Sequence, residues 1–194
     1  MSAPIRQSFV LLLVLAVFGM LTACGPSNNV RLLYNPSTTS VLPQPQAPRV
    51  AVVMFDDQRP HQMIGERKDG SVFTSTSTVT DWISRSLADE LSRQGMQVSY
   101  ATTMAQAQSG NPEYIVTGTV TDVWLKENSA TNVTATIRAT VKLANRKGVI
   151  YSENLTASQD KQFIPSATAV ESLLSETLRD LLVPAAKKLE SKIQ

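Results

Sequence analysis

Strict alternation of apolar and polar residues from Asn132 to Ala144 is the feature that most restricts the fold of this chain. The apolar members are Val133, Ala135, Ile137, Ala139, Val141 and Leu143. Because neighbouring side chains of a strand point to opposite faces, this pattern predicts a long strand with one buried and one wet face, as in an antiparallel sheet. The following Asn145-Arg146-Lys147-Gly148 predicts a hairpin turn, with the returning strand over 149–157.

Other segments also carry strand patterns. The continuous apolar run Val50–Phe55 predicts a buried central strand, and a short alternation over 96–100 predicts another. Residues 114–126 are rich in threonine and valine, and their pattern changes phase near Asp122, which predicts a strand with a bulge. Between these segments, residues 56–77 are polar and rich in turn formers, so we expect a long loop there.

Two amphipathic helices complete the predicted secondary structure. Their starts are marked by two capping-box spacings, Thr78 with Asp81 and Thr168 with Glu171. The second helix contains Pro184, which should kink or divide it because proline removes one backbone hydrogen bond. Together the elements predict an α+β fold, a mainly antiparallel sheet of about four to five strands packed on two amphipathic helices as a two-layer sandwich.

The N-terminus has the organisation of an export signal. Arg6 precedes an apolar stretch from Phe9 to Met20, which is shorter than the roughly 20 residues that span a bilayer. Leu21-Thr22-Ala23-Cys24 follows and resembles the lipobox of bacterial lipoproteins, whose cysteine becomes the lipid-modified first residue. Cys24 is the only cysteine, so lipidation also accounts for a lone thiol in an exported protein. The alternatives are an ordinary cleaved signal with an incidental cysteine, or an uncleaved anchor.

This interpretation divides the chain into three parts: a signal peptide over 1–23, a proline-rich tether over 24–48, and one α+β periplasmic domain over 49–194. Within the tether, Val30–Tyr34 predicts a short strand that either docks on the domain or serves as a binding epitope. Removing 23 residues, with the single charge of Arg6, leaves 171 residues carrying 17 basic and 16 acidic side chains. A net charge of +1 provides no field for nucleic acid, so we expect no nucleic-acid partner.

Few residues could support catalysis. His61 is the only histidine and Cys24 is assigned to lipid, so every nucleophilic triad would need His61. We therefore expect no catalytic residue, metal site or cofactor. Asp56, Asp57 and Arg59 follow a core strand and are candidates either for fixing the loop or for binding a ligand. An enzyme working through the two aspartates and His61 is the remaining alternative.

Short motifs along the chain resemble the YajG-type outer-membrane lipoproteins. Besides the lipobox, these are Tyr34-Asn35-Pro36, Asp57-Gln58-Arg59, Ile64-Gly65 and Arg93-Gln94-Gly95-Met96, with the closing sheet and helix. The resemblance implies a palmitoylated lipoprotein facing the periplasm from the outer membrane, with no known catalytic residues. Gly25 after the cysteine, in place of aspartate, agrees with outer-membrane sorting in enteric bacteria.

These observations lead to a non-catalytic lipoprotein, held to the membrane through lipidated Cys24, that binds an envelope protein or supports outer-membrane maintenance. The alternative is an auxiliary lipoprotein of a lipid-transport system, which binds an apolar ligand or a transporter subunit. A groove lined by residues of the helix stripes would favour that alternative.

Overall fold

The computed structural model describes residues 28–36, 40–43 and 45–193. Over these residues the chain forms nine strands and three helices. In chain order they are β1 (Asn29–Val30), β2 (Arg49–Val53), β3 (Asp56–Asp57), β4 (Gly65–Glu66), β5 (Val72–Ser75), α1 (Val79–Arg93), β6 (Gln97–Ala101), α2 (Met104–Ser109), β7 (Tyr114–Ser129), β8 (Asn132–Asn145), β9 (Gly148–Gln162) and α3 (Ala167–Ile193).

The long hairpin strands form the regular part of the sheet. β8 pairs antiparallel with β7 on one side and with β9 on the other. The six apolar residues of its alternating pattern are at most 2% exposed, which confirms the predicted register. The register shift between Val120 and Asp122 confirms the predicted bulge. Asn145 pairs with Gly148 across the predicted turn, where Gly148 has φ 128°, a conformation that favours glycine.

The other edge of β7 is built differently. β2, β3 and β4 pair with it one after another, all parallel. From there the sheet continues in two directions, to β6 beside β2 and to β5 and β1 beside β4.

Our predicted fold class is therefore wrong. The sheet is a mixed, nine-stranded sheet, in which five of the eight strand pairings are parallel, instead of a mainly antiparallel sheet of four to five strands. The segment 56–77, which we expected to be a loop, contributes β3, β4 and β5. These strands have two to four residues, which is too short for an alternating pattern to be recognised in the sequence.

The helices also differ from a two-layer sandwich on two helices. α1 and α3 share one core with the long strands, including Leu87 and Leu178 at 0% exposure. The short helix α2 covers the opposite face of β2, where Ala51 and Val53 pack with Ala107 in a second cluster. Because β2 is buried on both faces, part of the sheet has helices on both sides.

The helix starts use other contacts than the predicted capping boxes. Thr78 precedes α1 but makes no side-chain capping hydrogen bond. In α3 the cap is Ser166, whose Oγ accepts a hydrogen bond from the N–H of Ala169 at 3.2 Å. The helix runs through Pro184 as one element of 27 residues, so the predicted division does not occur. No helix in the described part of the chain is long and apolar enough to cross a membrane.

Candidate functional site

The predicted candidates Asp56 and Asp57 form β3, which is the middle one of the three short strands that pair with the same edge of β7. Phe55, just before them, is 2% exposed, and its N–H donates to Ser84 Oγ at 2.9 Å. This contact lies between β2 and β3, the first two strands that pair with this edge of β7. In β3, Asp56 and Asp57 lie opposite Thr119 and Val120. Both aspartates are exposed, so the buried Phe55 determines the path and the carboxylates stay at the surface.

Arg59 binds Asp57 through a two-pronged ion pair. Its Nε donates to Oδ1 at 2.9 Å and its Nη2 to Oδ2 at 2.7 Å, while the Arg59 backbone N–H donates to Oδ1 at 3.1 Å. These donors lower the pKa of the Asp57 carboxyl below its usual value. The Arg59 side chain is 7% exposed and that of Asp57 is 40% exposed. The ion pair therefore joins a buried guanidinium to a carboxylate at the surface. A carboxylate held this way is a poor proton acceptor, and the arrangement can fix the turn after β3.

His61 does not join the two aspartates. In the described part of the chain it forms no hydrogen bond, and its ring lies 6.0 Å from the Trp124 ring. Among the described residues no cluster of three histidine, cysteine, aspartate or glutamate side chains could hold a metal ion. Within the described residues, His61 is thus not hydrogen-bonded to either aspartate.

The lipidation candidate Cys24 lies outside the described residues, which begin at Asn28, four residues later. Residues 28–36 form a segment that we call the strap. It starts as β1, where Val30 is 1% exposed in the main core, and then crosses α1 and α3. The predicted strand over Val30–Tyr34 is thus shortened to its first residue, but the segment does dock on the domain.

Four side chains from the helices hold the strap. Glu171 on α3 binds Arg31 with both carboxylate oxygens, at 3.0 Å to Nε and 2.9 Å to Nη2. Three further hydrogen bonds follow along the strap: Trp82 Nε1 to the Leu33 carbonyl at 3.0 Å, Tyr34 Oη to Glu90 Oε1 at 2.6 Å, and the Asn35 N–H to Ser175 Oγ at 3.0 Å. Contacts to both helices fix this segment along its length.

The strap contacts are partly buried, which strengthens them. The Glu171 side chain is 6% exposed, and hydrogen bonds from Arg31 lower its pKa. Glu90 is fully buried, and burial together with the hydrogen bond to Glu90 raises the pKa of the Tyr34 hydroxyl well above its usual range. A buried carboxylate without such a partner would cost several kcal/mol. The sequence did carry a signal for this site, since Glu90, Glu171 and Ser175 lie among the apolar residues of the helix stripes. Of these we singled out only Glu171, and we assigned it to a capping box, whereas its carboxylate binds Arg31.

Two grooves lie beside the segments around the strap. One, of about 660 Å³, is lined by Asn28, Lys68 and Glu127 among others. Beneath it Arg67 stacks on the Phe73 ring and donates to Asn28 Oδ1 at 2.6 Å. The second groove, of about 300 Å³, has mainly apolar walls and lies where residues 41–43 and 45–48 cross the ends of α1 and α3, with Leu42 86% exposed at its border.

Comparisons with known proteins show the fold. No family model matches the chain, and no curated protein is significantly similar to it in sequence. A DUF330 protein from Xanthomonas campestris is similar in structure, with a TM-score of 0.61 and 13% identity over 86% of this chain and 96% of that one. A putative neuraminyllactose-binding hemagglutinin homolog from Helicobacter pylori has a TM-score of 0.51 and 10% identity, over 85% of this chain and 96% of that one.

Bacterial lipoproteins occur among the weaker likenesses. Lipoprotein GNA1162 from Neisseria meningitidis has a TM-score of 0.37 and 15% identity, over 69% of this chain and 96% of that one. At these identities the likenesses with TM-scores above 0.5 show a shared fold only, and the YajG-type resemblance stays a prediction. The chain thus has the fold of the DUF330 protein.

Proposed function

We propose that the protein is a non-catalytic lipoprotein of the bacterial envelope, held by lipidated Cys24 to the periplasmic face of the outer membrane, where it binds an envelope protein or supports outer-membrane maintenance. The strap is the observation that carries this proposal. It begins four residues after Cys24 and is bound to both long helices, so an acylated Cys24 would be coupled to the folded body through a very short connection. More than one acyl chain gives stable anchoring.

The polar candidates support a non-catalytic role. The Asp57 carboxylate accepts hydrogen bonds from Arg59, and the carboxylates of Glu171 and Glu90 accept hydrogen bonds from strap residues. The buried carboxylates therefore have structural partners.

The anchor is tested by Cys24→Ala, with Ser27→Ala as the matched control. We expect the first variant to remain unprocessed or to appear in the soluble periplasmic fraction, and the second to stay with the outer membrane on a density gradient. Mass spectrometry of the mature N-terminus measures the acylation directly. A stably membrane-bound protein with an unmodified residue 24 would contradict the proposal.

A lipid-transport auxiliary is the second candidate, and the apolar groove beside Leu42 is the observation that favours it. Of the helix-stripe residues, Ile193 at the end of α3 lines this groove and Leu181 lines a smaller one, whereas others such as Leu174 and Leu182 are 1% and 0% exposed. The groove at the end of α3 is therefore the surface that either an apolar ligand or a transporter subunit would use.

Crosslinking in intact envelopes separates the two candidates. A photo-crosslinking residue at position 42 probes the apolar groove, and one at exposed position 156 on the opposite face of the sheet is the control. Capture of an inner-membrane transporter subunit only from position 42 favours the second candidate. Capture of an outer-membrane or periplasmic protein favours the first.

A further inference from the structure

Several structural elements end together at the side of the molecule from which the chain leads back to Cys24. The β7–β8 turn at 130–131 lies there, and the end of β9 joins it through a hydrogen bond from the Phe163 N–H to the Thr131 carbonyl at 2.9 Å. Ala130 and Asn28 line the same groove. We call this side the anchor-proximal end.

Covalent geometry places Cys24 close to this end. Asn28 is four positions after Cys24, and an extended chain reaches at most about 3.6 Å per residue, so the two Cα atoms are no more than about 14 Å apart. Arg31 then connects the strap to Glu171, about one turn after the start of α3 at the same end. Lipid chains on Cys24, as in the proposed function on which this inference rests, would bring the anchor-proximal end to the bilayer.

The anchor-proximal end also carries an exposed aliphatic side chain on an uncharged loop. Ile164 is 81% exposed, although its neighbour Phe163 packs against the main core. No charged residue occurs over 162–170 or over 128–132, whereas the hairpin turn at the far end of β8 contains Arg146 and Lys147. The loops at the anchor-proximal end therefore carry no charge, whereas the exposed Val149 and Ile150 at the far end follow two basic residues.

Charge nearby is compatible with lipid headgroups. Lys68 lines the groove beside Asn28 and is exposed, which suits contact with headgroup phosphates. Of the acidic residues of the groove, Glu127 is paired with Arg67, and Asp69 accepts hydrogen bonds from Ser71 and keeps its charge beside Lys68.

We propose that the anchor-proximal end rests on the membrane and that Ile164 inserts into the lipid interface as a second contact beside the acylated Cys24. The long strands then rise away from the membrane. β8 has 14 residues, so its far end stands about 45 Å from the turn at 130–131.

A fluorescence experiment on the full, lipidated protein tests this proposal. Because Cys24 is blocked by lipid, Ile164→Cys creates a single free thiol for an environment-sensitive dye, and Val149→Cys, 63% exposed near the far turn, is the matched control. Ala130→Cys is a second probe of the anchor-proximal end. The labelled proteins are placed in vesicles of phosphatidylethanolamine and phosphatidylglycerol that contain nitroxide-labelled lipid.

We expect several-fold stronger quenching and a blue-shifted emission at positions 164 and 130 relative to 149. Equal quenching at all three positions, or stronger quenching at 149, in protein shown by mass spectrometry to be acylated would overturn this inference and leave the proposed function standing. Protein that carries no lipid on Cys24 would overturn the proposed function itself, and this inference with it.

Discussion

The two edges of β7 are held by different means. Along one edge a single strand, β8, pairs with β7 almost from end to end. Along the other, β2, β3 and β4 share the edge, with three, two and two paired residues. The continuous edge is specified by a repeating side-chain pattern, whereas the divided edge depends on individual core residues such as Phe55, Ile64 and Phe73, each at most 2% exposed.

Close approach of the backbone marks the divided edge as well. A Cβ atom on Gly65 would lie 2.2 Å from the Leu125 carbonyl oxygen. On Gly118 it would lie 2.6 Å from the Phe55 ring and 2.5 Å from the Thr140 carbonyl oxygen. Glycine is thus required where short strands and their anchoring side chains press against β7, and the comparison can be tested from both sides.

The largest effect is expected on the continuous edge. Ile137→Asp places a carboxylate on the buried face of β8, where Ile137 is 0% exposed, and should lower the free energy of unfolding by several kcal/mol, about 3–5. Thr136→Asp, on the opposite face and hydrogen-bonded to Ser158 Oγ, should cost less than about 1 kcal/mol. Urea unfolding measures both, and equal midpoints would show that the register does not control this edge.

On the divided edge, Gly65→Ala should destabilise by about 1–3 kcal/mol, because the methyl group cannot fit against Leu125 without moving β4. Gly110→Ala is the control, since its added Cβ would meet the Ala107 carbonyl oxygen at an ordinary 3.5 Å. Limited proteolysis should show faster cleavage within 59–75 only for Gly65→Ala. Unchanged cleavage would mean that β4 does not depend on close contact with β7.

The ion pair next to β3 should matter less. Asp57→Asn leaves the buried Arg59 guanidinium without its charged partner, but the exposed carboxylate is screened by water, so we expect a loss of about 1 kcal/mol. Asp56→Asn should have almost no effect. Thermal melting compares the two, and a gain in stability for both Asp57→Asn and Arg59→Gln would instead indicate a strained ligand site.

Acid should weaken the strap with the smallest effect on the global unfolding. The pKa of Glu171 is lower in the folded protein than its reference value of 4.5, so its contribution is complete above about pH 4.5 and is lost as the pH falls through the folded pKa. Trp82 fluorescence in a Trp124→Phe background follows release of the strap, since Trp82 donates to Leu33. Glu171→Gln should remove this acid-dependent step, whereas an unchanged titration in that variant would exclude the Arg31–Glu171 pair as its cause.

The difference between the edges also explains what could be predicted from the sequence. The alternation over Asn132–Ala144 and the phase change near Asp122 are local patterns, and the structure contains both. β3, β4 and β5 are too short to have a period, and parallel pairing depends on distant segments meeting, so the sheet was predicted with too few strands and the wrong pairing.

The candidate site follows the same rule. The pairing of Arg59 with Asp57 could be expected from residues two positions apart. The strap contacts join residues separated by as many as 140 positions, as with Arg31 and Glu171, and no local pattern encodes them. Polar residues within an apolar helix stripe are the only trace that such contacts leave in a sequence.

If the protein is held through a lipidated Cys24, as proposed, the strap has a mechanical consequence. A pull on the tether enters the body at β1, where two residues pair with β5, and then reaches Arg31 bound to Glu171. Further along the strap, Leu33 and Tyr34 transmit the load to α1 and Asn35 transmits it to α3. Tension on the tether is therefore spread over two helices before it reaches the long hairpin, which can keep its register while the tether is strained.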